Sequence, residues 1–197
     1  MPSKEEFAKM CGLYREWNEK INVVSRKDID NLFEHHILHS LAIHEYMSRR
    51  GLLEDGLKVL DLGTGGGFPG IPLATVMPEA QFTLCDSIAK KIRVAQAVAD
   101  GLNLTNVTCV NARAETLPGP YDWVVSRAVT SLDSFYPWVK GKFTKGILYL
   151  KGGDVASEIG QMCAKCKVDP SKVSVWPIND WLKDDYFAEK FVIEIRK

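Results

Sequence analysis

The sequence predicts a doubly wound α/β fold, with a largely parallel sheet covered on both faces, a helical extension before it and an antiparallel hairpin after it. Three observations lead there. Apolar runs of strand length alternate with amphipathic runs of helical length between residues 58 and 166. A glycine-rich break, Gly63-Thr64-Gly65-Gly66-Gly67-Phe68-Pro69-Gly70, follows the first apolar run, Val59-Leu60-Asp61-Leu62. An acid, Asp86, closes the next one, Gln81-Phe82-Thr83-Leu84-Cys85-Asp86.

Taken in order, Phe7, Met10, Tyr14, Trp17 and Ile21 recur at helical spacing, and so do Ile29, Leu32, Phe33, Ile37 and Leu41, so two amphipathic helices precede the sheet. Strands are expected near 58–62, 81–86, 107–111, 121–126 and 146–151, and helices near 70–77, 88–101, 131–139 and 154–166. Such alternation implies parallel strands with helices on both faces. Lys172–Trp176 and Phe191–Ile195 are joined by too short a segment for a crossover helix and read as an antiparallel hairpin at one edge. A chain of 197 residues with 46% hydrophobic content can bury one sizeable core. One domain over residues 1–197 is therefore expected, with a helical extension at 1–50 and a Rossmann-like core at 57–197.

No apolar run reaches bilayer-spanning length and the N-terminus lacks a signal-peptide core, so the chain is expected to be soluble and cytoplasmic, with no membrane partner. Five cysteines, at positions 11, 85, 109, 163 and 166, suit reduced thiols. Cys163 and Cys166 form a C-x-x-C without a second pair or nearby histidine, which fits two cysteines on one helix face better than zinc. Net charge is zero, yet Ser87–Gly152 holds nine Lys or Arg against four Asp or Glu. Such a basic face permits RNA contact with low non-specific affinity, and a solvated face with no partner accounts for it equally well.

The glycine break marks a place where a cofactor can lie against main chain, because glycine reaches φ > 0 and leaves no Cβ in the way. Gly65-Gly66-Gly67-Phe68-Pro69-Gly70 also satisfies the dinucleotide pattern G-x-G-x-x-G, and Asp86 lies at a distance that pattern accepts. Pro69 removes one of the N–H donors a pyrophosphate would use, and Asp61 fits an acid-x-Gly-x-Gly turn. The order strand, glycine turn, helix, strand, acid resembles the first two motifs of class I S-adenosylmethionine methyltransferases. Gly63, Thr64 and Gly65 then border the donor, and Asp86 is placed to accept ribose hydroxyls.

Ligands of such sheets bind beyond the carboxyl ends of the strands. There stand Asn111-Ala112-Arg113-Ala114-Glu115, Ser126-Arg127-Ala128-Val129 and Lys151-Gly152-Gly153. Together with Asp61–Ala74, Leu84-Cys85-Asp86-Ser87, Lys90-Lys91, Trp17-Asn18, Lys20-Ile21-Asn22 and His36-Ile37-Leu38, these segments resemble the RsmG (GidB) family over nearly the whole chain. Its members are bacterial enzymes that methylate N7 of one guanine in 16S ribosomal RNA. The resemblance implies S-adenosyl-L-methionine as cofactor, contacted by Gly63, Phe68, Ala114, Glu115 and Arg127. It places Arg113, Lys151 and the Lys90-Lys91 pair on the catalytic or RNA-facing surface. The expected partner is 16S ribosomal RNA or the small subunit, bound by a monomer. The chain differs from the family pattern at His39, where aspartate is common, and at Lys91, where arginine is common. An Arg to Lys exchange keeps charge and loses bidentate phosphate geometry.

The residues missing from the strand ends agree with this chemistry. An exocyclic amine usually calls for an Asn-Pro-Pro-Tyr type motif after the fourth strand, where this chain has Ser126-Arg127-Ala128, and a pyrimidine carbon calls for a cysteine nucleophile. Guanine N7 carries an in-plane lone pair and no proton, so positioning and exclusion of water suffice without a general base. Donor sulfonium and methylated base are both cationic, so Arg127 is better matched to the donor carboxylate or a phosphate than to the methyl itself. His35, His36 and His39 beside Glu34 invite a metal reading, but such sites usually draw ligands from several elements, and packing or RNA contact is the expectation, with no metal. A nicotinamide-dependent oxidoreductase would share the glycine turn and Asp86, and a non-catalytic ribosome assembly factor would share the basic face.

Overall fold

A seven-stranded mixed sheet carries the molecule, in the order β3-β2-β1-β4-β5-β7-β6, in a computed structural model that describes residues 3–197. The strands are β1 Lys58–Leu62, β2 Gln81–Asp86, β3 Val107–Asn111, β4 Tyr121–Arg127, β5 Phe143–Gly152, β6 Val173–Pro177 and β7 Lys190–Arg196. Strands β1 to β5 are parallel neighbours, each followed by a return across a face of the sheet. Strand β7 runs antiparallel to both β5 and β6 and lies between them. The last two strands are thus the expected antiparallel pair, with the later one inside. Alternation along a sequence shows strand type and says nothing about this order. The strand order reverses between β1 and β4, and this switch opens a crevice at their carboxyl ends.

Helices α1 Lys4–Lys20, α2 His39–Arg49, α3 Gly70–Val76 and α4 Ala89–Gly101 cover one face, and α5 Leu132–Val139 and α6 Val155–Cys166 cover the other. Helix α1 starts on a reciprocal cap: the Ser3 Oγ accepts from the Glu6 N–H and the Glu6 carboxylate accepts from the Ser3 N–H. Its apolar stripe, with Met10 and Tyr14 fully buried, packs in the same cluster as Phe82 and Val125 of the sheet. Helix α5 contains Pro137, whose missing N–H frees the Asp133 carbonyl, and the Cys166 thiol donates to that carbonyl at 3.4 Å. Lys165 pairs with the Asp133 carboxylate at 2.8 Å, so α5 and α6 are joined at the same residue. The two cysteines of the C-x-x-C sit on α6 as free thiols. No helix among the described residues is long and apolar enough to cross a membrane.

The segment expected as one amphipathic helix over Ile29–Leu41 is instead three pieces. A 3-10 turn at Ile29–Asn31 leads into a π-helix at Leu32–Leu38, and α2 follows from His39. Apolar residues at three- and four-residue spacing do not distinguish a ladder of 3.6 residues per turn from a wider one over so short a stretch. In this conformation His35 and His36, adjacent in sequence, both reach the carboxylate of Asp28.

Candidate active site

The glycine turn after β1 is held from three directions before any ligand is considered. Asp61, wholly buried at the end of β1, accepts from the Thr64 hydroxyl at 2.6 Å and from the Gly70 N–H at 2.7 Å, spanning the turn. From β2, the Cys85 carbonyl accepts the N–H groups of Gly63 and Thr64, and the Asp86 carboxylate accepts that of Gly65 at 2.9 Å. From α1, the Tyr14 hydroxyl donates to the Gly66 carbonyl at 3.0 Å while its ring stacks on Phe68 at 4.5 Å. Gly63 needs its freedom: its φ is +72°, and a Cβ there would overlap Val129 Cγ2. Tyr14→Phe keeps the stack and orphans the Gly66 carbonyl, so the expected loss is about 1 kcal/mol of unfolding stability, read by urea denaturation. An unchanged midpoint would mean that α1 does not brace the turn.

Beyond the carboxyl ends of β1, β2 and β4 lies a cleft of about 520 Å³, of the size small-molecule sites take. Gly63, Asp86, Arg113, Ala114, Glu115 and Arg127 all line it, and Lys91 stands at its wall. Several residues expected there lie elsewhere. Thr64 is 2% exposed, with its hydroxyl given to Asp61, because the turn directs its side chain into the core. Gly65 acts through its N–H on Asp86, behind the wall. Phe68 is buried between Tyr14 and Arg127 and forms a floor beneath the guanidinium instead of a wall. Lys90 is exposed on α4 outside the cleft. Lys151 is not on the wall either: its ammonium pairs with Glu158 of α6 at 2.9 Å and donates to the Thr130 carbonyl at 2.9 Å. Tyr149 assists, because its hydroxyl donates to the Thr130 carbonyl and accepts from the N–H groups of Val129 and Thr130. The two side chains thus shape the loop after β4. Val129 of the strand-end segment and Trp138 supply apolar wall together with Ile88, which the sequence did not single out. The exposure of Ile88 and Val129, about 40% each, is the structural signal for them.

Arg127 is the most unusual group of the site. Its guanidinium is desolvated, which pulls its pKa below the ordinary arginine value, and lies 5.1 Å over the Phe68 ring. It donates to His36 Nδ1 at 2.9 Å and to the His35 carbonyl at 3.4 Å. No carboxylate among the described residues pairs with it. A half-buried, desolvated cation without an anion is costly and calls for one. Next to it Ala128 adopts φ 47°, a left-handed conformation that costs a non-glycine residue about 1 kcal/mol and clusters at functional sites.

The histidines are occupied within the fold. His35 Nδ1 and His36 Nε2 meet the two oxygens of Asp28 at 2.5 Å each, and the His35 ring stacks on Tyr186 at 3.5 Å. His39 is buried edge-on against Tyr186 and Phe187, and burial pushes its pKa well below the ordinary value. Burial and the Arg127 charge hold His36 at about 4, against the partial restoring effect of Asp28. Between 4 and 6.5 the unfolded chain takes up a proton that the native His36 refuses, so its contribution is intact above 6.5 and is lost as pH falls. Asp61, raised to about 7 by burial, acts in the opposite sense: between 3.8 and 7 the native chain keeps a proton the unfolded chain has released. The two are separable by substitution. Wild type should lose stability relative to His36→Gln by about 1 kcal/mol per pH unit as pH falls from 6.5 to 5, in urea titrations. A difference independent of pH would contradict the assignment of His36 as neutral.

Solved structures that this fold matches include S-adenosylmethionine-dependent methyltransferases. Magnesium protoporphyrin IX methyltransferase from Synechocystis PCC 6803, solved with bound SAM, superposes with a TM-score of 0.65 at 14% identity and full coverage of both chains. A putative rRNA methylase from Clostridium thermocellum gives 0.55 at 19% identity, over 78% of this chain and 93% of that one. The chain belongs to the GidB family, rRNA small subunit methyltransferase G, whose model matches residues 3–180. Relatives carrying the name ribosomal RNA small subunit methyltransferase G include that of Bacteroides thetaiotaomicron, 49% identical over 198 residues, covering 96% of this chain and 91% of the relative. That of Christiangramia forsetii is 48% identical over 196 residues, covering 95% and 87%.

Proposed function

We propose that this chain transfers a methyl group from S-adenosyl-L-methionine to N7 of a guanine in 16S ribosomal RNA, acting as a cytoplasmic monomer on the small subunit. The observation that carries the reading is Arg127, a half-buried, desolvated cation without a carboxylate partner that lines the cleft of a chain in this family. The donor's methionyl carboxylate is the anion it lacks, and a charge-assisted pair there fixes the amino-acid end. Asp86 accepts N–H groups from Gly65 and Ile88 and keeps lone pairs for ribose hydroxyls. Ala114 and Glu115 stand on the wall where an adenine edge is held, and Gly63 lets the donor approach main chain.

When bound, the donor supplies an electrophilic methyl on a sulfonium, and the chain's own groups do the rest. The loop Ala128-Val129-Thr130, shaped by Tyr149 and Lys151, borders the place where the base arrives. Lys151 therefore acts on placement through the loop. Arg113 and Lys91 at the mouth, with Lys90 on the exposed face of α4, are the groups for RNA phosphates. Guanine N7 attacks with its own lone pair, so no side chain has to take a proton.

Mapping N7-methylguanosine in 16S ribosomal RNA from cells with and without this chain tests the reading. One N7-methylguanosine lost on deletion and restored by the wild-type chain, but not by Arg127→Leu, is expected. An unchanged methylation map would overturn it and leave the assembly-factor reading. Binding of NADH in place of S-adenosylmethionine in a calorimeter would favour the oxidoreductase.

A further inference from the structure

Arginine is a poor anchor unless something fixes it, because its long side chain has many rotamers to lose. In this molecule the fixing groups come from outside the sheet. Arg127 Nη2 donates to His36 Nδ1, so that nitrogen is unprotonated and the ring proton sits on Nε2. That N–H donates to Asp28 Oδ2, and the other carboxylate oxygen takes the N–H of His35 Nδ1. His35 is held in turn by the face of Tyr186, whose hydroxyl donates to the same His35 carbonyl that Arg127 Nη1 reaches. Asp28 thus sets the His36 tautomer, and His36 sets the direction of the guanidinium. The π-helical turn is what brings both rings onto one carboxylate.

We propose that Asp28 and His36 are positioning residues for the methyl donor. They aim the Arg127 guanidinium at the donor carboxylate without touching the donor themselves, so the segment ahead of α2 is part of the donor site. This rests on the donor reading given above. The arrangement has a readable consequence. Misdirecting Arg127 weakens only ligands that carry the amino-acid carboxylate, whereas loosening the fold weakens every ligand of the cleft.

The test compares calorimetric dissociation constants for S-adenosylhomocysteine and 5′-methylthioadenosine, which share adenosine and thioether and differ in the amino-acid end. Wild type should prefer the former, and Arg127→Leu should abolish most of that preference. His36→Phe, which keeps a planar ring beside Phe68, should cut the preference at least fivefold and leave the methylthioadenosine constant within twofold. Asp28→Asn should do the same to a smaller degree, and His36→Asn, which restores an acceptor near Nδ1, should recover part of it. Parallel weakening of both ligands in His36→Phe and Asp28→Asn, or an undiminished preference in both while Arg127→Leu loses it, would overturn the proposal. An undiminished preference in Arg127→Leu would instead remove the carboxylate-binding reading itself, and the positioning role with it.

Discussion

Gly63→Val should abolish measurable binding of S-adenosylmethionine and lower unfolding stability by about 3 kcal/mol. A β-branched residue at φ +72° bears a left-handed penalty of about 1–2 kcal/mol, and its Cβ would overlap Val129 Cγ2. Relief by moving Val129 disturbs the loop that Tyr149 and Lys151 hold through Thr130, with a cost of about 1–3 kcal/mol typical of overpacking. The same movement narrows the cleft where the donor meets main chain, so affinity is lost in the molecules that still fold. Denaturation and calorimetry on one preparation check both parts. A valine variant that binds the donor normally would place the donor away from this turn.

Arg127→Leu should weaken donor affinity by about 10- to 100-fold, the value of a charge-assisted hydrogen bond of roughly 1.5–3 kcal/mol. The methylation rate at limiting donor should fall in proportion. Arg127→Lys should lie between, because lysine keeps a charge and cannot bond His36 Nδ1, the His35 carbonyl and a carboxylate together in the arginine fork. Leucine also leaves His36 Nδ1 without its donor, while the His35 carbonyl keeps the Tyr186 hydroxyl, so affinity must be measured on protein shown to be folded. Unchanged affinity in folded Arg127→Leu would contradict the role given to this unpaired cation.

Much of the cleft was legible because its residues stand at the ends of strands, where period-two apolar runs stop. Gly63, Asp86, Ala114, Glu115 and Arg127 are found by locating those ends, and all of them line the cleft. What escaped the sequence is contact between distant elements. Tyr14 reads as one more residue of an amphipathic stripe, and its hydroxyl on Gly66 spans 52 positions. Lys151 reads as a cation at a strand end, and its capture by Glu158 depends on how α6 returns across the sheet. Thr64 and Phe68 sit inside a turn, where no periodicity says which side chain faces in. The π-helix escaped for a related reason, since it is marked by the convergence of His35 and His36 on Asp28, a side-chain contact that apolar spacing does not report.

The most direct measurement incubates the purified chain with methyl-labelled S-adenosylmethionine and either small ribosomal subunits or protein-free 16S ribosomal RNA, then digests the RNA and separates the labelled nucleosides. The neutral net charge and the single basic segment predict transfer to subunits well above transfer to free RNA at physiological salt. The expected label is N7-methylguanosine alone, with a single-turnover rate that shows no steep acidic limb near neutral pH. Label in an exocyclic amine or a ring carbon, with a rate rising tenfold per pH unit through neutrality, would mean that a general base operates and would contradict the account.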